Sequence, residues 1–117
     1  MAQGCIFCDI IAGTIKTEFV YEDDAVIAFA DIRPIAPTHL LVVPREHHAT
    51  LADTVSSPDG RALLGRLLKV AGDLGAARAE KDGGYRVVIN NGAAAGQTVY
   101  HLHVHVLSGR HFAWPPG

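Results

Sequence analysis

The stretch His101-Leu102-His103-Val104-His105-Val106-Leu107 alternates imidazole and aliphatic side chains without a break. A period of two marks a β-strand, in which successive side chains point to opposite faces. His101, His103 and His105 therefore share one face, and Leu102, Val104 and Val106 the other. One face is core and the other is imidazole. A rise of about 3.3 Å per residue separates His101 from His105 by about 13 Å, more than one zinc ion with ligands at about 2 Å can bridge. Two neighbours at most share a metal, which leaves at least one ring as a nucleophile or proton-transfer group. A plain solvated strand face would mix Lys, Thr, Glu and Ser rather than repeat one ring.

Working outward, Tyr85 to Asn90 reads as the preceding strand, and Asn91 to Gly96 as a loop of small residues that leads into the histidines. Before these, Leu63, Leu67, Val70, Ala71 and Leu74 recur at helix period behind Ser57-Pro58, an N-cap followed by proline. That helix ends near Gly83-Gly84. Gly65, Gly72 and Gly75 weaken it by about 1 kcal/mol each relative to alanine, so packing must hold it. The aliphatic run His39 to Val43, between prolines, predicts a strand, as do Phe19 to Tyr21 and Ala25 to Ala30 around an acidic turn. Apolar residues at 6, 7, 10 and 11 predict a short opening helix that stops at Gly13. The expected fold class is α+β: an antiparallel sheet of about five strands with one long and one short helix.

The 117 residues form one domain, with 112–117 as an extended tail. A core this small favours association, and a homodimer is expected. A net charge of −2 and the absence of a basic run interleaved with aromatics argue against nucleic acid. No 18-residue apolar run and no signal-peptide pattern is present, so neither a membrane span nor export is expected and the reading is cytoplasmic.

Loop and histidine strand together describe a phosphate held against imidazoles, because glycine lets backbone amides approach an anion as a concave nest. His103, flanked on both sides, is the expected nucleophile: an imidazole with a pKa near 6.5 is substantially neutral at pH 7, where lysine is protonated. A leaving group needs a proton donor within reach. His105 and His39 are the candidates, with Thr98 as a hydroxyl relay. Taken alone, His39 after a proline turn is structural, Asp31 caps a turn, and Ile6, Phe7, Ile10, Phe29, Ile32 and Leu41 are core. Trp114, before two prolines, fits neither helix nor sheet interior and should dock somewhere. Cys5-x-x-Cys8 has three readings: a redox pair, which lacks the usual βαβ context; buried small thiols; or half of a zinc site completed by His101 and by His47 or His48.

The His-x-His-x-His pattern resembles the signature of the histidine triad superfamily of nucleotide hydrolases and transferases. Asp31-Ile32-Arg33-Pro34, Pro37-Thr38-His39-Leu40-Leu41-Val42-Val43-Pro44, Asn90-Asn91-Gly92, Gly96-Gln97 and Trp114-Pro115-Pro116-Gly117 extend the likeness over nearly the whole chain. The ending is similar to that of the nucleoside phosphoramidase branch.

The resemblance implies that His103 attacks an α-phosphorus to form a nucleotidyl-histidine. It also implies that His39 is a fourth active-site histidine and that Asp31 accepts from both ribose hydroxyls. The six apolar residues would wall a nucleobase pocket, with Asn90, Gly96, Gln97, Thr98 and His105 also meeting the nucleotide. Trp114 would pack near the partner's active site in a homodimer whose sheets join. Relatives more often carry serine at the Thr98 position; threonine keeps the hydroxyl with stiffer rotamers. Cys5, Cys8, His47 and His101 match a structural zinc set found in some members, although the branch with this ending often lacks both cysteines. No cofactor is implied for catalysis. The function implied is hydrolysis of purine nucleoside 5'-phosphoramidates. The competing readings are dinucleoside polyphosphate cleavage or nucleotidyl transfer, and a non-catalytic nucleotide-binding module.

Overall fold

The computed structural model describes residues 4–117. Its order is α1 (Ile6–Ala12), β1 (Phe19–Glu22), β2 (Val26–Ala30), β3 (Thr38–Pro44), α2 (Leu51–Val55), α3 (Gly60–Asp82), β4 (Tyr85–Val88) and β5 (Val104–Ser108). The five strands form one antiparallel sheet, as expected from the patterning, and their order in it is β1-β2-β3-β5-β4. β5 therefore returns between β3 and the edge strand β4, which sets Leu41 opposite His105 and His39 opposite Leu107.

Both faces of the central strands are covered. Val26, Ala28, Leu40, Val42, Val104 and Val106 pack against Leu67, Val70 and Ala71 of α3. Ile27, Phe29, Leu41 and Val43 pack under Phe7, Cys8 and Ile10 of α1. The histidine row lies on the α1 side, because His39 and His105 alternate with residues of the α3 face. In the β1–β2 turn the Asp23 carboxylate accepts the N–H groups of Ala25 and Val26, which is why an acidic residue suits that corner. Gly13 ends α1 in the left-handed conformation.

Three expectations shift. The long helix starts at Gly60 with Asp59 at its cap, not at Ser57-Pro58; the Ser57 hydroxyl instead donates to the Thr54 carbonyl, at the end of α2. That five-residue helix was not foreseen, being too short for a periodic signal, although Thr50 capping the Asp53 N–H is a readable start. The histidine strand begins only at Val104. His101 lies in a bend before it, and the Leu102 N–H reaches the His48 carbonyl instead of joining the ladder. Alternation survives around this break, with Leu102, Val104 and Val106 all in the α3-side core. β4 is likewise shorter than read, ending at Val88.

The helix glycines divide by surroundings. A Cβ on Gly75 would stand 2.2 Å from the Tyr85 ring, whereas one on Gly65 meets nothing within 4 Å. Gly75→Ala should therefore destabilise the fold by about 1–3 kcal/mol, and Gly65→Ala should stabilise it by up to about 1 kcal/mol. Urea unfolding of the two variants checks this; equal effects would contradict it.

Candidate active site and metal centre

The fold gathers the sequence-predicted residues into two clusters along the histidine row. At one end, Cys5, Cys8, His47 and His101 offer four ligand atoms within 4.8 Å of one another. Cys5 and Cys8 come from the first turn of α1 and its cap. His47 follows β3, and His101 precedes β5. The His101 Nε2–H donates to the Pro44 carbonyl at 2.8 Å, which leaves Nδ1 as a lone pair. That nitrogen lies 3.4 and 3.6 Å from the two sulfurs and 3.1 Å from His47 Nδ1, and His47 Nδ1 is 3.3 Å from Cys8 Sγ. A tetrahedral zinc ion with bonds of about 2.0–2.3 Å holds its ligands about 3.3–3.8 Å apart, so two thiols and two imidazoles at these spacings fit that ion. The choice left open between His47 and His48 is resolved by geometry, since His48 Nε2 turns to the Glu46 carboxylate at 2.6 Å. His101 is fully buried, and burial lowers its pKa to about 4, which keeps the ring in the neutral form that a metal needs.

His103 comes next. Its Nδ1 lies 2.8 Å from the His101 carbonyl. A carbonyl only accepts, so Nδ1 carries the proton and Nε2 is bare. The ring is steadied by the edge of Phe7 at 5.1 Å and by His105 at 4.9 Å between centroids. Burial lowers its pKa, against the raising influence of the His101 carbonyl and Asp31.

Beyond it, the Ile35 N–H donates to His39 Nδ1, which puts the His39 proton on Nε2, 2.9 Å from His105 Nδ1. His105 Nε2 then carries a proton. Asp31 Oδ2 stands 3.4 Å behind, from His39 Nε2, while Oδ1 takes the Arg33 N–H. Burial, then repulsion from His103 and His39, pushes His105 down to about 4; burial also lowers His39, against the pull of Asp31.

Asp31, His39, His105, Asn90 and Thr98 line one open cavity of about 460 Å³. Arg33, Arg86, Arg110 and Phe112 line it too and were not among the predicted residues. Arg86 was readable, since the period-two pattern of β4 aligns it with Val88, opposite His105.

Of the apolar set, Phe7, Ile10, Phe29 and Leu41 are buried in the α1-side core, whereas Ile32 and Ile6 are exposed beside it. Gln97 does not face the cavity: its amide accepts the Gly92 N–H and donates to the Ala49 and Val99 carbonyls, fastening the loop. Nor do the amides of Ala95, Gly96 and Gln97 form the anticipated nest. They are spent on Gly92 and Ala93 carbonyls in a 3-10 turn, with Gly96 its left-handed end. Trp114 is 83% exposed, with Phe112 and Pro116 at the cavity wall.

Fold and site define an α+β protein with a row of imidazoles along one sheet face and a thiol–imidazole cluster at its end. The HIT domain model matches residues 12–112, and the chain belongs to that family. An uncharacterised HIT-like protein of Synechocystis is 47% identical over 121 residues, with both chains covered in full. A HIT family hydrolase from Legionella pneumophila superposes with a TM-score of 0.89 at 46% identity, over 97% of this chain and 100% of that one. A zinc-bound histidine triad family protein from Mycobacterium smegmatis gives 0.79 at 34% identity, over 92% and 76%. Among the described residues no helix is long and apolar enough to cross a membrane.

A base held neutral by its surroundings binds fewer protons folded than unfolded, so its contribution to stability is full above pH 6.5 and is lost as pH falls toward about 4. Wild-type protein should therefore lose stability relative to His105→Gln across that window. Chemical denaturation at several pH values measures this, and a pH-independent difference would refute it.

Proposed function

We propose that this HIT-domain chain hydrolyses purine nucleoside 5'-phosphoramidates through a nucleotidyl-His103 intermediate. The observation that carries the reading is the set of hydrogen-bond partners of the two rings, which assigns a bare Nε2 to His103 and a proton-bearing Nε2 to His105. His103 attacks the α-phosphorus and the P–N bond breaks. The bound phosphate anion raises the proton affinity of the His39–His105 pair; the pair takes up one proton, and His105 hands it to the leaving nitrogen. Water then cleaves the adduct and its proton returns to the same pair, leaving the nucleoside monophosphate and an amine.

In this reading Asp31 accepts from the ribose hydroxyls, the exposed Ile32 and Ile6 flank the base over the Phe7–Phe29 core, and Asn90 and Thr98 meet the phosphoryl oxygens. Supporting a homodimer are the free edge of β4, with Tyr85 and Val87 partly exposed on it, and the unburied Trp114 at the end of the tail. Zinc held by Cys5, Cys8, His47 and His101 would neutralise the thiolates and tie α1 to the segment that carries the nucleophile.

His103→Ala should lower turnover of an adenosine 5'-phosphoramidate by about three orders of magnitude or more, as removal of a nucleophile does. It should also abolish the nucleotide adduct that acid-free quenching traps on His103; near-normal rates in this variant would refute the reading. Purified protein should contain one zinc ion per chain, and Cys8→Ser should lose it together with thermal stability. Purified protein that holds no zinc, and whose melting temperature does not rise when zinc is added, would end the zinc assignment.

A further inference from the structure

The cavity beyond His105 has a charge pattern that the hydrolytic reading does not use. Arg33, Arg86 and Arg110 line it against one carboxylate, Asp31, in a chain whose net charge is −2. Elsewhere Arg45 pairs with Glu22, and Arg66 with Asp23 and Asp24. The three cavity arginines pair with no carboxylate among the described residues. Arg110 gives two of its N–H groups to the Ile35 and His111 carbonyls, and Arg86 gives one to the Ala113 carbonyl. Both guanidiniums lie over the Phe112 ring, that of Arg110 at 4.3 Å and that of Arg86 at 5.3 Å from its centroid, which draws them together at one wall. A guanidinium has five donors, so most remain open, and the Arg33 side chain makes no hydrogen bond or ion pair among the described residues.

Their position follows from topology. Arg33 precedes β3, Arg110 follows β5 and Arg86 lies near the start of β4, so all three stand at one end of the sheet. His103, which does not line this cavity, stands before β5 as the middle ring of the row, and its neighbour His105 lies between it and the cavity. An in-line displacement puts the leaving group on the side of phosphorus opposite the attacking atom. A group expelled from phosphorus by His103 and protonated at His105 therefore departs into the arginine-walled space.

We infer that this cavity is a subsite for an anionic leaving group, and that phosphoramidates of amines bearing a carboxylate are preferred over those of neutral or cationic amines of the same size. The inference rests on the P–N hydrolysis proposed above and adds the chemistry of the amine. Fork-shaped guanidiniums bind a carboxylate bidentately, which supplies orientation as well as attraction.

The test compares kcat/KM for three adenosine 5'-phosphoramidates of equal length, made from β-alanine, β-alaninamide and 1,3-diaminopropane. The wild type should favour the carboxylate over the amide by about tenfold, roughly 1.4 kcal/mol, and should turn over the cation slowest. In Arg33→Gln and Arg110→Gln the carboxylate-to-amide ratio should fall toward one, an effect that a merely structural role would not single out. A wild-type ratio of one or less, or a ratio unchanged in both variants, overturns the subsite. If no phosphoramidate is turned over, P–N hydrolysis fails instead. Cleavage of diadenosine tetraphosphate that weakens in Arg33→Gln would then assign the same cations to a phosphate leaving group. Insensitivity to Arg33→Gln, or no turnover at all, would overturn the subsite as well.

Discussion

The hydrogen bond from His103 Nδ1–H to the His101 carbonyl, at 2.8 Å, is the constraint on which the site depends. It decides which nitrogen of the central ring keeps its lone pair. The carbonyl can hold that proton only because His101 is itself immobilised, by its Nε2–H on the Pro44 carbonyl and by burial against Phe7 and the thiols. Pro44 ends β3, the strand that also carries His39, so one strand positions both ends of the row. Without this anchor the His103 ring would divide its time between two tautomers, and only one leaves Nε2 free.

The same geometry separates two chemistries that one sequence motif compresses. The bend at His101 turns the first histidine inward, among sulfurs. β5 then starts at Val104 and turns His105 toward the relay with His39 and Asp31. Phe7 lies between the two cysteines in sequence and touches both His101 and His103, so α1 links the thiol cluster to the central ring by direct packing.

Much of this was legible from alternation alone. The face on which His103 and His105 lie, the central strands, the opening helix and its glycine stop follow from period and punctuation, because burial on two sides enforces both. What escaped the sequence were features set by neighbours distant in the chain. Gln97 reads as a site residue beside the histidines, but its amide is taken by carbonyls of Ala49 and Val99. The loop glycines read as an anion nest, but the carbonyls of Gly92 and Ala93 draw three amides inward. The cavity arginines come from three separated segments, and no local pattern announces that they converge.

Heteronuclear NMR of the histidine ring nitrogens tests the central claim most directly. In the ligand-free protein at neutral pH, His103 should show a protonated Nδ1 and an unprotonated Nε2, and His105 the reverse. A His103 ring protonated at Nε2, or exchanging freely between the two forms, would contradict the account, because the proposed attacking atom would have no lone pair held ready for phosphorus.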